Sequence, residues 1–311
     1  MWAALFPGQG SQQIGMGKFL FENFMPARES FEEASDVLKL NFKKLCFDGP
    51  DADLALTENT QPALLLVSTA TYRCLNSIVK FEAKAGAGHS VGEYAALVAA
   101  QALTFSEALQ AVRIRGQEMQ KAVPVGQGAM LVVLGLSDER VVQLCQWAEK
   151  KSGAAPLEPA NFNSPGQVVI SGSVRAVEWL KSNVASANNE IFAGEASKIR
   201  LIPLNVSAPF HCSLMKPAEK VMEMVLNETT FSTARWPIVQ NFTAQESVAA
   251  DVLRKNLISQ ISGSVRWTQC FQRLGALGVK NAVGACWPCA TAASPMRACW
   301  CSRRKATARK T

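Results

Sequence analysis

Short apolar runs alternate along the chain with stretches whose apolar positions recur every three or four residues. Trp2–Phe6 reads as a short buried strand ending in the turn Pro7-Gly8-Gln9-Gly10. Residues 28–40 place Phe31, Ala34, Val37 and Leu38 on one helical face. A second helix is predicted to open at Pro62, a favoured first-turn residue, and to run through Leu64, Leu65, Leu66 and Val67 to about Ser77. The small residues Ala85–Gly88 lead into Gly88-His89-Ser90-Val91-Gly92. Glu93–Leu103 then reads as a buried helix, and 106–121 as another that carries Arg113 and Arg115.

Residues 127–206 have their own rhythm. A strand, GAMLVVLGL, precedes a helix over 138–151. Strands around Leu157–Phe162 and Val168–Ser171, a helix over 174–186 and a strand at Ile199–Asn205 follow. That order, β-α-β-β-α-β, is the ferredoxin-like pattern. The chain then returns to a helix at 214–226, a strand near Trp236–Gln240 and a helix at 267–277. The expected fold class is α/β: a larger α/β-hydrolase-like domain with a parallel sheet, over 1–124 and 207–283, into which a small ferredoxin-like domain, 125–206, is inserted. Residues 284–311 form an atypical tail.

Composition refines this picture. With 311 residues, 48% of them hydrophobic, the chain can bury a sizeable core. No run approaches the roughly 20 apolar residues of a membrane helix. The start MWAALFPGQG has no basic leader and breaks at Pro7-Gly8, unlike a signal peptide, so a cytoplasmic protein is expected. The net charge of +7 is misleading, because 281–311 hold six basic residues and no acid. The body is nearly neutral, and nothing in it suggests a nucleic-acid partner. Cys46, Cys74, Cys145, Cys212 and Cys270 are scattered as buried reduced thiols would be; four more cysteines crowd the tail.

The chemistry concentrates at Gly88-x-Ser90-x-Gly92. The pentapeptide matches a nucleophile elbow, where a tight strand-to-helix turn exposes a serine oxygen and flanking glycines avoid clashes. Helix N–H groups beside it suit a developing oxyanion. An ordinary tight turn would also fit these five residues. Serine needs a base, and the chain has only two histidines, His89 and His211. His89 adjoins Ser90 and should point away from it to buttress the turn. His211 follows the closing strand of the small domain, at the rim of an interdomain cleft; a structural loop histidine is the competing reading. An α/β-hydrolase triad runs Ser, acid, His, yet the acids from Glu93 to Glu195 sit in no recognisable triad context and no HGGG-type oxyanion loop is present. A Ser-His dyad, with the imidazole held by a backbone carbonyl, needs no acid.

Six motifs in order carry a resemblance: FPGQGSQ at 6–12, TQPALL at 60–65, GHSVGEYAALVAA at 88–100, RG at 115–116, NFNSPGQVVISG at 161–172 and SAPFHCSLMKPA at 207–218. Together they resemble bacterial malonyl-CoA:acyl carrier protein transacylases over roughly residues 2–280. The resemblance implies ping-pong transfer of malonyl from malonyl-CoA, through Ser90, to the phosphopantetheine thiol of acyl carrier protein, with His211 as general base. It implies an oxyanion hole of the Gln9 and Val91 backbone N–H groups, and a Gln260 backbone carbonyl that orients His211. That last role leaves the Gln260 side chain unconstrained. Arg115 matches the arginine that pairs with the malonyl carboxylate, a contact suited to a planar guanidinium; helical position alone would make it a surface arginine. Gln61 and Asn161 match positions near the acyl pocket. Phe210 matches the bulky residue of malonyl-selective relatives and should exclude a methyl branch. No metal or redox cofactor and no membrane or nucleic-acid partner is implied, and the expected state is a monomer. A serine hydrolase or thioesterase, and a catalytically dead carrier-protein-binding module, are the alternative function classes.

The resemblance ends near Val283. The family expects an acid-Val-Gly-Pro-Gly turn and an apolar helix there; this chain reads GACWPCATAASPMRACWCSRRKATARKT. Cys286-x-x-Cys289 has redox-motif spacing but follows no βαβ context, and with Cys299 and Cys301 it makes no standard zinc pattern. The abrupt change of composition favours a shifted reading frame near residue 284.

Overall fold

The computed structural model describes residues 1–192, 199–204, 206 and 208–284. β1 (Trp2–Phe6) is followed by α1 (Lys18–Asn23), α2 (Met25–Leu38), α3 (Asp51–Ala55) and α4 (Thr57–Ile78). β2 (Ala85–Gly88) feeds α5 (Gly92–Ala99) and α6 (Phe105–Lys121). Then come β3 (Gly128–Leu134), α7 (Asp138–Ser152), β4 (Leu157–Ser164), β5 (Gln167–Ser173), α8 (Val174–Glu190) and β6 (Arg200–Pro203). The chain finishes with α9 (Lys216–Glu228), β7 (Ile238–Val239), β8 (Glu246–Ser247), α10 (Ala250–Ser259), α11 (Trp267–Ala276) and β9 (Asn281–Gly284).

Two sheets result. The larger has the order β8-β7-β2-β1-β9 and is parallel except for β8. The smaller, β4-β5-β3-β6, is antiparallel throughout. β3 shows how the two join. Its alternate residues Leu131 and Val133 pack into the core beneath α7 and α8, while Met130 and Val132 pack into the core of the larger unit. A strand buried on both faces reads as a continuous apolar run, which is what GAMLVVL is. A second seam runs along β4, where Phe162 N–H donates to Val265 O (2.9 Å) and Val265 N–H donates to Ala160 O (2.8 Å).

Most expected elements are present within a few residues, with instructive departures. α4 begins at Thr57, not at Pro62, so the proline lies inside the helix. Proline at 62 cannot donate to the carbonyl of Glu58. Arg113 Nη1 from α6 takes that acceptor at 2.8 Å, so the interruption is repaired from a neighbouring helix. The helix expected over 93–103 stops at Ala99, and Gln101 follows in a left-handed conformation (φ 60°). The strand expected at 236–240 shrinks to Ile238–Val239. Of the strand expected at 199–205, Arg200–Pro203 is observed; Asn205, and the cysteine-rich tail with its redox, zinc and reading-frame readings, lie outside the described residues. The five body cysteines are free and buried. No helix among the described residues is long and apolar enough to cross a membrane.

α4 and α6 meet at Gly116. A Cβ there would lie 2.7 Å from Glu58 Cα and 2.8 Å from Thr57 O, both backbone atoms that cannot swing aside. Helical Gly275 has open space instead. Gly116→Ala should therefore cost about 1–3 kcal/mol despite alanine's better helix propensity. Gly275→Ala should be neutral or gain up to about 1 kcal/mol. Urea unfolding midpoints check the pair; a stabilised Gly116→Ala would contradict the packing.

Candidate active site

Ser90 sits between β2 and α5 with φ 52°, a left-handed conformation that a serine adopts only when its surroundings enforce it. The enforcement comes from close backbone packing. A Cβ on Gly88 would fall 1.9 Å from Gly92 O, and one on Gly92 would fall 2.5 Å from Pro7 O. A Cβ on Gly8 would meet His89 O at 2.6 Å. The three glycines let the loop after β1 and the turn after β2 lie against each other. Beyond Gly8, the Gln9 side chain donates to Thr57 Oγ1 of α4 at 3.3 Å. His89 points away from Ser90: its ring pairs with Asn163 Oδ1 of β4 at 2.9 Å and stacks edge-on against Trp267 of α11.

His211 arrives from the other side. Its loop is seated on the small unit: a Cβ on Gly128 of β3 would lie 2.3 Å from the Pro209 ring. Ser213 N–H and Oγ both donate to the Glu158 carboxylate of β4, at 2.9 and 2.7 Å. His211 itself is left-handed (φ 59°) and 4% exposed. Its Nδ1 lies 2.9 Å from Gln260 O. A carbonyl only accepts, so Nδ1 carries the proton and Nε2 has a free lone pair. Nε2 faces Ser90 Oγ at 2.7 Å. Burial first, and the nearby Arg115 charge second, push the His211 pKa down to about 3; the Gln260 carbonyl opposes them. The imidazole is therefore a neutral acceptor for the serine proton.

Arg115 completes the group. It is 1% exposed, so the helix face that carries it turns inward rather than to solvent. Nη1 donates to Gln61 Oε1 (2.7 Å); Nη2 donates to Ser90 Oγ and to Gln260 Oε1 (both 3.1 Å). All three acceptors are neutral, and Arg115 Nε has no partner among the described residues. Burial lowers its pKa, while Tyr94 and Glu93 raise it. A buried guanidinium bonded only to neutral oxygens is a strong attractor for a carboxylate.

Ser90, His211, Arg115, Gln61 and Gln260 thus converge. Val91 stands at the N-cap of α5 directly after the serine, and Phe210, 8% exposed, packs in the core beside His211. Asn161 lies apart on β4, at the bridge to Val265, and no described hydrogen bond links it to the dyad. Among the described residues no group of three metal-ligating side chains converges.

This geometry has relatives. Residues 4–284 match the acyl transferase domain family. The chain is 41% identical over 282 residues to the malonyl CoA-acyl carrier protein transacylase of Bacillus subtilis, covering 89% of this chain and 84% of that one. It is 38% identical over 280 residues to the transacylase of the same name from Escherichia coli K12, covering 90% and 87%. The chain belongs to the malonyl CoA-acyl carrier protein transacylase family. Solved members agree in fold. An acyl carrier protein S-malonyltransferase from Vibrio cholerae superposes with a TM-score of 0.85 at 40% identity, covering 92% of this chain and 89% of its own. A malonyl-transacylase solved in complex with a type II PKS acyl-carrier protein gives 0.83 at 39% identity, covering 92% and 88%.

The transacylase fold also buries polar residues whose roles no local pattern reveals. Glu93, fully buried on α5, accepts from Gln240 Nε2 (3.0 Å), Asn241 N–H (2.8 Å) and Gln260 Nε2 (2.9 Å). Burial raises its pKa; those donors and the Arg115 charge oppose the rise. The Gln260 side chain, unconstrained in a purely backbone role, is in fact engaged at both ends, with Nε2 also reaching Ser90 O at 3.2 Å. Burial likewise lowers the His89 pKa, against its bond to Asn163. With only two histidines in the chain, nitrogen-15 NMR can follow both. Neither imidazole should titrate near the ordinary 6.5; His211 protonating there would contradict the buried neutral dyad.

Proposed function

We propose that the chain moves a malonyl group from malonyl-CoA to the phosphopantetheine thiol of an acyl carrier protein, through a malonyl ester on Ser90. The observation that carries this reading is the triangle of Ser90 Oγ, neutral His211 Nε2 at 2.7 Å and buried Arg115 Nη2 at 3.1 Å. A nucleophile, its base and a carboxylate receptor stand around one point. Arg115 would pair with the malonyl carboxylate and Gln61 would hold the guanidinium in plane. Ser90 Oγ attacks the thioester carbon as His211 Nε2 takes its proton. The oxyanion falls to the Val91 and Gln9 backbone N–H groups. Collapse breaks the carbon–sulfur bond, and the departing CoA thiolate takes the proton from His211. The carrier thiol then gives its proton to His211 and attacks the ester carbon. Ser90 leaves, regains the proton, and the site is restored.

Phe210 next to the base favours unbranched malonyl over a methyl-branched acyl group. The strand order β4-β5-β3-β6 with α7 and α8 on one face supports reading 125–206 as the inserted ferredoxin-like unit. The segments before and after it would make the larger α/β-hydrolase-like domain. Buried free thiols fit a cytoplasmic setting.

Brief mixing with malonyl-CoA should add one malonyl mass to the intact protein, and Ser90→Ala should show none. A folded parent that acquires no adduct would overturn the reading. Arg115→Ala should lower kcat/KM for malonyl-CoA by roughly 10- to 100-fold, the loss expected when hydrogen bonds to a charged group are removed. Acetyl-CoA, which has no second carboxylate, should lose far less. Equal losses for both would remove Arg115 from carboxylate recognition.

A further inference from the structure

One residue grips both ends of the nucleophile turn. Asn241 lies just beyond β7 and is fully buried. Its Oδ1 accepts from Ser90 N–H at 2.7 Å, and its Nδ2 donates to Gly88 O at 2.8 Å. These partners lie 151 and 153 residues away in sequence. The residue is itself held, at its backbone by Glu93 and at its side chain by Gln260. Asn241 N–H donates to Glu93 Oε2 at 2.8 Å, and Gln260 Nε2 bridges Glu93 Oε2 (2.9 Å) and Asn241 Oδ1 (3.3 Å). The same Gln260 presents its carbonyl to His211 and its Oε1 to Arg115.

We propose that Asn241, locked by Glu93, is the positioning residue that sets the direction of Ser90 Oγ for acyl transfer. The reading rests on the proposed Ser90 chemistry. First, Ser90 stands at φ 52°, where a serine does not stay unaided. The bond from its own N–H to Asn241 fixes the peptide plane on its N-terminal side; with φ held, that fixes the direction of the Cα–Cβ bond from which Oγ projects. Second, a serine N–H at a helix start would compete to bind the nascent oxyanion. Asn241 Oδ1 occupies that N–H, which leaves the oxyanion to the neighbouring Val91 N–H, farther along the turn. An amide suits the task because it supplies one acceptor and one donor in a single plane; a carboxylate could not donate to Gly88 O.

The test compares Asn241→Ala with Leu253→Ala in the full chain. Leu253 is fully buried in the same core, but its side chain makes none of the turn contacts. Both variants and the parent are mixed with malonyl-CoA, and the acylation rate constant is measured as intact mass against time, with unfolding midpoints alongside. Asn241→Ala should acylate about 10- to 100-fold more slowly at saturating malonyl-CoA. Its KM should stay within about threefold of the parent's, because Arg115 bonds to Gln61, Ser90 and Gln260 and not to Asn241. Every folded molecule should still reach one malonyl at long times. Leu253→Ala should lose stability and keep the parent rate per folded molecule. Should Asn241→Ala prove insoluble, Asn241→Asp keeps the acceptor for Ser90, loses the donor to Gly88, and should be slowed in the same way. Acylation at the parent rate in a folded Asn241 variant, or equal slowing in Leu253→Ala, would overturn the inference. A parent that forms no adduct would instead fail the proposed function itself.

Discussion

The hydrogen bond between Ser90 Oγ and His211 Nε2 joins parts of the chain 121 residues apart, and the architecture is arranged around it. Ser90 belongs to the large sheet, at the end of β2. His211 is delivered by a loop seated on the small sheet through Gly128, Ser213 and Glu158. The dyad therefore forms only if the two units dock in register. Two features secure that register: β3 and β5, apolar on both faces, and the strand-like seam between β4 and Val265. His89 adds a third tie, from the nucleophile turn to Asn163 of β4.

Burial then decides the electrostatics. A solvated histidine would be partly charged near neutrality and a solvated arginine would be screened. Here burial and Arg115 together hold His211 neutral, and the guanidinium finds only neutral acceptors. Each group makes the other fit for its task. An anion paired with Arg115 would cancel part of the positive field at His211, so a carboxylate-bearing substrate would strengthen the base as it binds. An acyl group without the carboxylate would lack both the anchor and that effect.

Much of this was legible in the chain, for physical reasons. The helices expected over 106–121, 138–151 and 174–186 correspond to α6, α7 and α8, because these helices obey local rules; each is capped by its preceding Thr104, Ser137 or Ser173 side chain. The glycines around Ser90 announce a turn, because only glycine fits there. Other features were not local. Pro62 looked like a helix start because the arginine that repairs its missing hydrogen bond lies 51 residues on, in α6. Arg115 looked exposed because α6 packs on α4 with that face inward. Asn241 lies in no motif, and Glu93 lies in one without a role that spacing reveals; their roles arise when β7, α5 and the end of α10 meet. The short elements α1, α3, β8 and β9 are too brief for periodicity to reveal.

This site transfers an acyl group to a thiol rather than releasing it to water. Malonyl enzyme can be prepared with substoichiometric malonyl-CoA, freed of CoA, and divided between buffer and buffer with holo acyl carrier protein. The ester should persist in buffer alone and pass to the carrier thiol within a single turnover, appearing as malonyl-carrier protein by mass. Free malonate released at the same rate in both samples, with no malonylated carrier, would contradict it.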